Sequence, residues 1–104
     1  MNPVTNKKEL IDSLLLHQDD IKFFGVKKLG IFGSFVKDKA QENSDVDFYV
    51  EFFEGKKNFD TFMELVDLLE SITGRNIELI TPQSLSKYIG PYILKEVEYV
   101  NLAA

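Results

Sequence analysis

The chain has 104 residues, a formal net charge of −5, and hydrophobic and charged fractions of 44% and 28%, which are typical of one soluble globular domain over residues 1–104. The acidic balance argues against a general nucleic-acid-binding surface, so we expect no direct contact with DNA or RNA. The absence of cysteine excludes disulfides and thiolate zinc sites, and no apolar run approaches the roughly 20 residues that span a bilayer. We therefore expect a cytoplasmic protein that makes no membrane contact.

The first half of the chain predicts a helix, a strand and a turn. Residues 6–20 predict an amphipathic helix, because apolar residues recur there at helical spacing. Its apolar face is formed by Leu10, Ile11, Leu14 and Leu15. Residues 26–32 form an apolar run after Gly25 and predict the first strand. A short helical segment over residues 33–37 and a polar loop over residues 40–44 follow.

The second half adds two strands and three helices. Residues 45–52 alternate, so Val46, Phe48, Val50 and Phe52 face a core while Asp45, Asp47, Tyr49 and Glu51 face a cleft or solvent. Residues 59–73 predict a long helix that ends at Gly74. Residues 76–81 predict a third strand. A short helix is predicted from Pro82 to about residue 89, where Gly90-Pro91 breaks it. A last helix contains Ile93, Leu94 and Val97, with Tyr99 near its end. This order predicts an α/β (α+β) fold with a small sheet of about three strands packed by helices.

The stretch from Gly33 to Asp47 carries the predicted chemistry. Asp45 and Asp47 lie one residue apart on a predicted strand, so their side chains point to the same face. Two neighbouring carboxylates repel each other unless a cation lies between them, and a hard divalent cation such as Mg²⁺ takes oxygen ligands of this kind. Gly33 and Ser34 lie where an apolar strand turns toward a helix, and the backbone N–H groups of such a turn can bind phosphate.

Glu78 is an isolated acid in the third predicted strand. If that strand lies beside the second, Glu78 reaches the cleft of Asp45 and Asp47, and three acids converge as metal-dependent nucleotidyl transfer requires. Two carboxylates would hold two Mg²⁺ ions, and the third would complete the metal site and accept the proton of the attacking hydroxyl. Lys37 could supply a positive charge to the phosphates of a nucleoside triphosphate.

These residues carry a family resemblance. Gly33-Ser34, ten residues and then Asp45-Val46-Asp47 resemble the signature of the polymerase β-like nucleotidyltransferase superfamily. The flanking segments LGIFGSF and SDVDFYVEF are similar to its minimal nucleotidyltransferase (MNT) branch. The resemblance continues through NIELITP, at residues 76–82, to the final tyrosine-containing helix, so it covers nearly the whole chain.

The resemblance implies the polymerase β-like fold with a mixed sheet, and ATP with Mg²⁺ as substrate and cofactor. It also implies a prokaryotic toxin–antitoxin system, in which the MNT protein is the antitoxin of a HEPN-domain ribonuclease toxin. In that arrangement the MNT protein transfers AMP to a tyrosine of the toxin and silences it. Gly33 and Ser34 then take the phosphate-binding role, and Asp45 and Asp47 the metal-ligand role.

Two positions depart from the family pattern. Glu78 stands where the family usually has aspartate, and the extra methylene moves the carboxylate by more than an ångström, a displacement that can cost about 100-fold in rate. Lys37-Asp38 replaces the usual Arg-Gly, so the charge is kept but bidentate phosphate geometry is lost. Both departures point toward a slow or degenerate enzyme.

Three functions stay open at this point. They are AMP transfer to a HEPN partner, neutralisation of that partner by binding alone, and AMP transfer to a small molecule. Because the predicted catalytic elements use nearly all of the chain, we expect the acceptor to be small or to arrive with a partner protein. The simpler alternatives are a solvated strand face for the aspartates, a ligand-free turn at Gly33, a salt bridge for Glu78 and a solvated Lys37. The nucleotide base and the oligomeric state, including a homo-oligomer, also stay open.

Overall fold

A computed structural model describes residues 2–102 of the chain. Its helices are α1 (Lys7–Leu16), α2 (Gln18–Phe23), α3 (Phe59–Thr73) and α4 (Gly90–Glu96). Its strands are β1 (Val26–Phe32), β2 (Val46–Phe52), β3 (Ile77–Ile80) and β4 (Glu98–Val100), and single 3₁₀ turns cover Gly33–Phe35 and Pro82–Ser84. Across these residues, no helix combines the length and the apolar character that a membrane span requires.

The strands form one mixed sheet in the order β3-β2-β1-β4. β1 pairs antiparallel with both β2 and β4, whereas β3 runs parallel to β2. The predicted α/β class with a mixed sheet is confirmed, but the described sheet has four strands rather than about three. The parallel β2–β3 pair matters most for the site, because it places Asp47 opposite Glu78.

The core lies between the sheet and the helices α1 and α3. The apolar face of β2 is buried as predicted, with Val46, Phe48 and Val50 at 0% exposure. Residues from both helices cover it, namely Leu10, Leu14, Leu65, Leu69 and Ile72. Each of these side chains contributes about 1.5–3 kcal/mol of hydrophobic free energy when fully buried, so the sheet that carries the site is firmly held from one side.

The long helix α3 has the bounds that its sequence predicts. The Asn58 side chain caps its first turn by accepting a hydrogen bond from the Thr61 backbone N–H at 2.8 Å. Gly74 ends it in the left-handed conformation, with φ of 68°, a conformation in which glycine carries no Cβ penalty. The two local signals at the ends of this helix were sufficient to fix its length.

The opposite face of β2 is less open than predicted. Tyr49 was expected to face a cleft or solvent, but it is only 3% exposed. Tyr99 of β4 packs edge-on against it with 6.2 Å between ring centroids. Gly30 lies in register between the two tyrosines, and because it has no side chain the rings can meet above it. Burial by β4 therefore corrects the prediction for this position.

The helices predicted near the two ends of the chain were wrong in their bounds. The first helix does not continue to residue 20, because the backbone at His17 leaves the helical region (φ −109°, ψ 20°) and α2 starts afresh at Gln18. The predicted helix from Pro82 to about residue 89 is only a 3₁₀ turn. Gly90-Pro91, predicted as a break, begins α4, since proline in the first helical turn has no hydrogen bond to lose.

Candidate active site

The turn after β1 is built around Gly33. Its φ is +77°, and a Cβ at this position would lie 3.1 Å from Cγ of Asp47 and closer still to Oδ2. Glycine is therefore required both by the backbone conformation and by the approach of the Asp47 carboxylate. Ser34 follows at intermediate exposure, so its hydroxyl lies at the edge of the same turn.

Asp47 lies at the centre of the acidic cluster. It pairs in register with Phe32 of β1 and Glu78 of β3, so the Asp47 and Glu78 side chains leave the same face of the sheet side by side. Asp45 lies one residue before β2 and is exposed, which places it in the entering loop rather than in the strand as predicted. The structure thus brings Asp47 and Glu78 together and leaves Asp45 at the rim.

The pKa of the Asp47 carboxyl is raised by its surroundings. Burial, followed by the negative charge of Glu78, raises the pKa of the Asp47 carboxyl to about 6. Asp45 and Glu96 add smaller repulsions in the same direction. Because a nearby positive charge would lower this pKa again, the cluster has the electrostatics of a cation site.

The donor set fits Mg²⁺ in chemistry and only partly in geometry. Over residues 2–102, no three carboxylate or imidazole groups are placed so that they could hold a metal ion as they stand. Mg²⁺ usually binds through one or two carboxylates and keeps water and substrate oxygens in its shell, so Asp47 and Glu78 with Asp45 nearby suit it. The metal-ligand role of these three acids stays a prediction.

Lys37, predicted to contact phosphate, has a protein partner. Its Nζ lies 2.8 Å from Oε1 of Glu96, the last residue of α4. That oxygen is buried and makes no directed hydrogen bond, so the contact is an ion pair that joins α4 to the segment after the Gly33–Phe35 turn. The next residue, Asp38, has a left-handed backbone with φ of 58°, a conformation that suits glycine better than other residues.

Arg75 holds the loop that leads to Asp45. Its Nη1 donates to the backbone carbonyls of Gln41, Glu42 and Ser44 at 3.0, 3.1 and 2.8 Å, and its Nε donates to the Val4 carbonyl at 2.7 Å. Its guanidinium also lies 5.1 Å from the centroid of the Phe35 ring. One side chain therefore contacts both the loop before β2 and the 3₁₀ turn after β1.

An open polar cleft of about 520 Å³ lies beside this loop. It is lined by residues of the loop and of the α3–β3 connection, including Ser44, Asp45, Glu70, Arg75 and Asn76. Gly33, Asp47 and Glu78 are not among its lining residues. Of the three predicted acids, only Asp45 lines this cleft.

The chain matches a known protein family over most of its length. The family model described as Polymerase beta, Nucleotidyltransferase matches residues 9–100. The chain belongs to this nucleotidyltransferase family. The matched range contains Gly33, Ser34, Asp45, Asp47 and Glu78.

Relatives of this nucleotidyltransferase place it near the protein-modifying members. It is 39% identical over 94 residues to "Protein adenylyltransferase MntA" of Thermococcus cleftensis, a match covering 88% of this chain and 94% of that protein. Its fold is also that of a chain in a crystal structure of a toxin–antitoxin with AMP-PNP, with a TM-score of 0.66, 20% identity, and coverage of 94% of this chain and 74% of that chain. A further match, at TM-score 0.56 and 16% identity, is to a structure of tri-AMPylated Shewanella oneidensis HEPN toxin in complex with MNT antitoxin, covering 85% of this chain and 71% of that chain.

Sequence reasoning missed two side chains of this nucleotidyltransferase. Glu96 was read as part of an ordinary helix, and no local pattern ties it to Lys37, which lies far away in the chain. Arg75 was passed over as part of a turn, although it is the only arginine in the sequence. A single arginine next to a helix-ending glycine was the one available signal, because arginine is favoured where several carbonyl or carboxylate oxygens must be bound at once.

Proposed function

We propose that this nucleotidyltransferase transfers AMP from ATP to a tyrosine hydroxyl of a HEPN-type toxin, in a Mg²⁺-dependent reaction, and so acts as its antitoxin. The observation that carries the proposal is the pairing of Asp47 with Glu78 across β2 and β3, with the Gly33 turn packed directly on the Asp47 carboxylate. This arrangement supports the proposal, because the backbone of the Gly33 turn and an acidic pair lie within one small site. The names of the relatives supply the class of acceptor.

In the proposed reaction, the acceptor oxygen attacks the α-phosphorus of ATP. A new P–O bond forms as the bond between the α-phosphorus and the bridging oxygen to the β-phosphate breaks, and pyrophosphate leaves with that electron pair. Glu78 accepts the proton of the attacking hydroxyl, because it is the exposed acid of the pair and can reach an incoming acceptor. Asp47 would be ionised with a cation beside it, because a nearby positive charge lowers the pKa that burial and Glu78 raise.

The remaining residues bind and orient the nucleotide. Asp45 and Asp47 would hold Mg²⁺, with Glu78 as the third oxygen donor, and the bound ion would neutralise charge on the α-phosphate and on the departing pyrophosphate. The Gly33–Ser34 backbone and the Ser34 hydroxyl donate to the terminal phosphates. Lys37 reaches those phosphates only after it leaves Glu96, so the Lys37–Glu96 pair competes with phosphate binding.

The test is a transfer assay with the protein and a HEPN-domain toxin from the same genome. With α-labelled ATP and Mg²⁺, we expect label on the partner, lost when its acceptor tyrosine is changed to phenylalanine. Asp45→Asn and Asp47→Asn should each reduce the initial rate by at least about 100-fold. Asp67→Asn is the matched control, because Asp67 is an exposed carboxylate on α3 outside the cluster, and its rate should equal that of the unmodified protein.

Other outcomes separate the alternatives. Tight complex formation with no label transfer, under conditions in which the partner is folded, would contradict AMP transfer and support neutralisation by binding alone. The Lys37–Glu96 ion pair is the observation that favours this second candidate, because it occupies the cation expected at the phosphates. Turnover of ATP in the absence of any protein partner would instead support a small-molecule acceptor.

A further inference from the structure

Arg75 is not one of the predicted site residues, yet it contacts both the loop before Asp45 and the Gly33–Phe35 turn. Three carbonyl oxygens of the 41–44 loop converge on its Nη1 at 2.8–3.1 Å. Because Nη1 has only two hydrogens, these three acceptors share them. The guanidinium thus binds three of the four carbonyl groups of a loop that has no helix or strand of its own.

The contact closest to the site is the one to Ser44. Its carbonyl belongs to the peptide bond that leads directly to Asp45, so the 2.8 Å hydrogen bond from Arg75 fixes the chain one residue before the first aspartate. Ser44 and Gln41 add two hydrogen bonds within the loop, from the Gln41 N–H to the Ser44 hydroxyl at 2.8 Å and from the Ser44 N–H to the Gln41 carbonyl at 3.1 Å. Asp45 itself is exposed, so its direction depends on this loop.

The guanidinium also contacts the Gly33–Phe35 turn. Phe35 is the last residue of that turn and is 1% exposed, and the Arg75 guanidinium lies 5.1 Å from its ring centroid. A planar, charged group can stack on an aromatic ring while its edge donates hydrogen bonds. Arg75 therefore contacts the turn with its face and the Asp45 loop with its edge.

We propose, resting on the proposed function, that Arg75 is a positioning residue that sets the distance between the Gly33–Phe35 turn and Asp45 and thereby sets the affinity for Mg²⁺–nucleotide. Groups that orient metal ligands from outside the ligand shell typically change metal affinity by about 10- to 100-fold when they are altered. Arg75 fits that description, because it holds the ligand-bearing loop without being a ligand itself.

The test compares Arg75→Lys with the unmodified protein in two measurements. Arg75→Lys keeps the charge and loses the planar fork. Hydrogen exchange of the metal-free protein should show faster exchange at the Gln41 and Ser44 amides. Binding of a fluorescent ATP analogue, titrated with Mg²⁺, should show a Mg²⁺ midpoint about 10- to 100-fold higher.

Two further variants separate positioning from general stability. Asn58→Ala removes the cap of α3 at the end remote from Arg75, so it should lower the melting temperature while leaving the loop exchange and the Mg²⁺ midpoint unchanged. Ser44→Ala leaves Arg75 intact and removes one hydrogen bond of the same loop. It should shift the midpoint in the same direction by a smaller factor, and it serves as the test if Arg75→Lys does not fold.

The outcomes are distinct. A Mg²⁺ midpoint that is unchanged in Arg75→Lys and Ser44→Ala, whatever their melting temperatures, would overturn the positioning role. Unchanged exchange at Gln41 and Ser44 would overturn it as well. If the unmodified protein binds Mg²⁺–nucleotide but labels no HEPN partner, the proposed function fails while the role of Arg75 is still decided by the binding data. If it binds no Mg²⁺–nucleotide, both fail.

Discussion

Asp45 and Asp47 belong to one motif and are separated by one residue, yet the fold holds them in different ways. Asp47 is a β2 residue between Phe32 and Glu78, and Gly33 packs on its carboxylate. Asp45 is exposed and is oriented by a loop that Arg75 fastens. The difference teaches that two residues of one sequence motif can have very different structural support. Asp47 should respond to changes in the sheet, and Asp45 to changes in the loop.

The largest effect is expected from Glu78→Gln, which removes the carboxylate beside Asp47. If Glu78 accepts the acceptor proton, the initial rate of transfer should fall by about 10²- to 10⁴-fold. Because the charge of Glu78 is the second cause of the raised pKa of Asp47, that pKa should also fall in the metal-free variant. The rate is measured by label transfer, and the pKa of Asp47 is measured from carboxyl chemical shifts during a pH titration.

Glu64→Gln is the matched control for this change, since Glu64 is an exposed acid on α3. Glu78→Asp keeps a carboxylate and should retain measurable transfer. A Glu78→Gln variant that transfers at the unmodified rate would remove Glu78 from the chemistry, even if the pKa of Asp47 shifts as expected.

Gly33→Ala tests how closely the turn depends on Asp47. The new methyl group would meet the Asp47 carboxylate, and the backbone would be strained at φ +77°. We expect about 100-fold slower transfer and a loss of about 1–2 kcal/mol in the free energy of unfolding from the left-handed backbone alone, measured by chemical denaturation.

Gly55→Ala offers a control with the same backbone conformation. Its φ is +76°, and nothing lies within 4 Å of the added Cβ. It should therefore share the loss of stability and keep its activity. If the two variants lose the same amount of activity, the contact between Gly33 and Asp47 has no special importance.

The pH dependence of stability reports on the Asp47 carboxyl in metal-free protein. Because the folded-state pKa of Asp47 is raised to about 6 from 3.8, its contribution to stability is complete below pH 3.8 and is lost as pH rises through 6. The asparagine side chain does not titrate, so the unfolding free energy of Asp47→Asn minus that of the unmodified protein should grow between about pH 4 and 7. After discounting for solvent screening we expect about 1 kcal/mol, measured by urea denaturation in EDTA.

Added Mg²⁺ should shrink this difference, since a cation beside Asp47 favours the ionised carboxylate. A constant difference between pH 4 and 7 for Asp47→Asn would contradict the crowded acidic cluster.

The smallest effect is expected from Asp38→Gly, between the Gly33–Phe35 turn and the Asp45 loop. Asp38 has a left-handed backbone with φ of 58°. Glycine relieves that strain but gains entropy in the unfolded state, so we expect a net stabilisation of about 0.5 kcal/mol. Asp38→Ala keeps the strain and should destabilise. Thermal unfolding of both variants checks the order, and a stabilising Asp38→Ala would contradict it.

Much of the central fold was predictable because its signals are local. β1 and α3 have their predicted bounds, and β2 starts one residue late. Alternation, a helix cap and a helix-ending glycine define these elements without reference to distant residues. β4 was missed because only three residues, Glu98–Val100, form it, and they are extended through pairing with Leu29–Ile31 of β1.

Some contacts of the candidate site could be predicted from the sequence, and others could not. The adjacency of Asp47 and Glu78 was predicted on the condition that the third strand lies beside the second, and the structure places it there. The pairing of Lys37 with Glu96 and the contacts of Arg75 could not be predicted, because each joins segments that approach each other only after the chain folds.

The sequence by itself determined the chemistry available to this protein. Its residue types and spacing supply a Gly-Ser pair, two aspartates one residue apart and a third acid later in the chain, and these do not depend on conformation. Only the tertiary structure decided the environment of each group: that Asp47 is crowded and hard to ionise, that Asp45 depends on a loop, and that Lys37 has a carboxylate partner. Burial and electrostatic interaction are set by neighbours that folding brings together, and sequence order does not contain them.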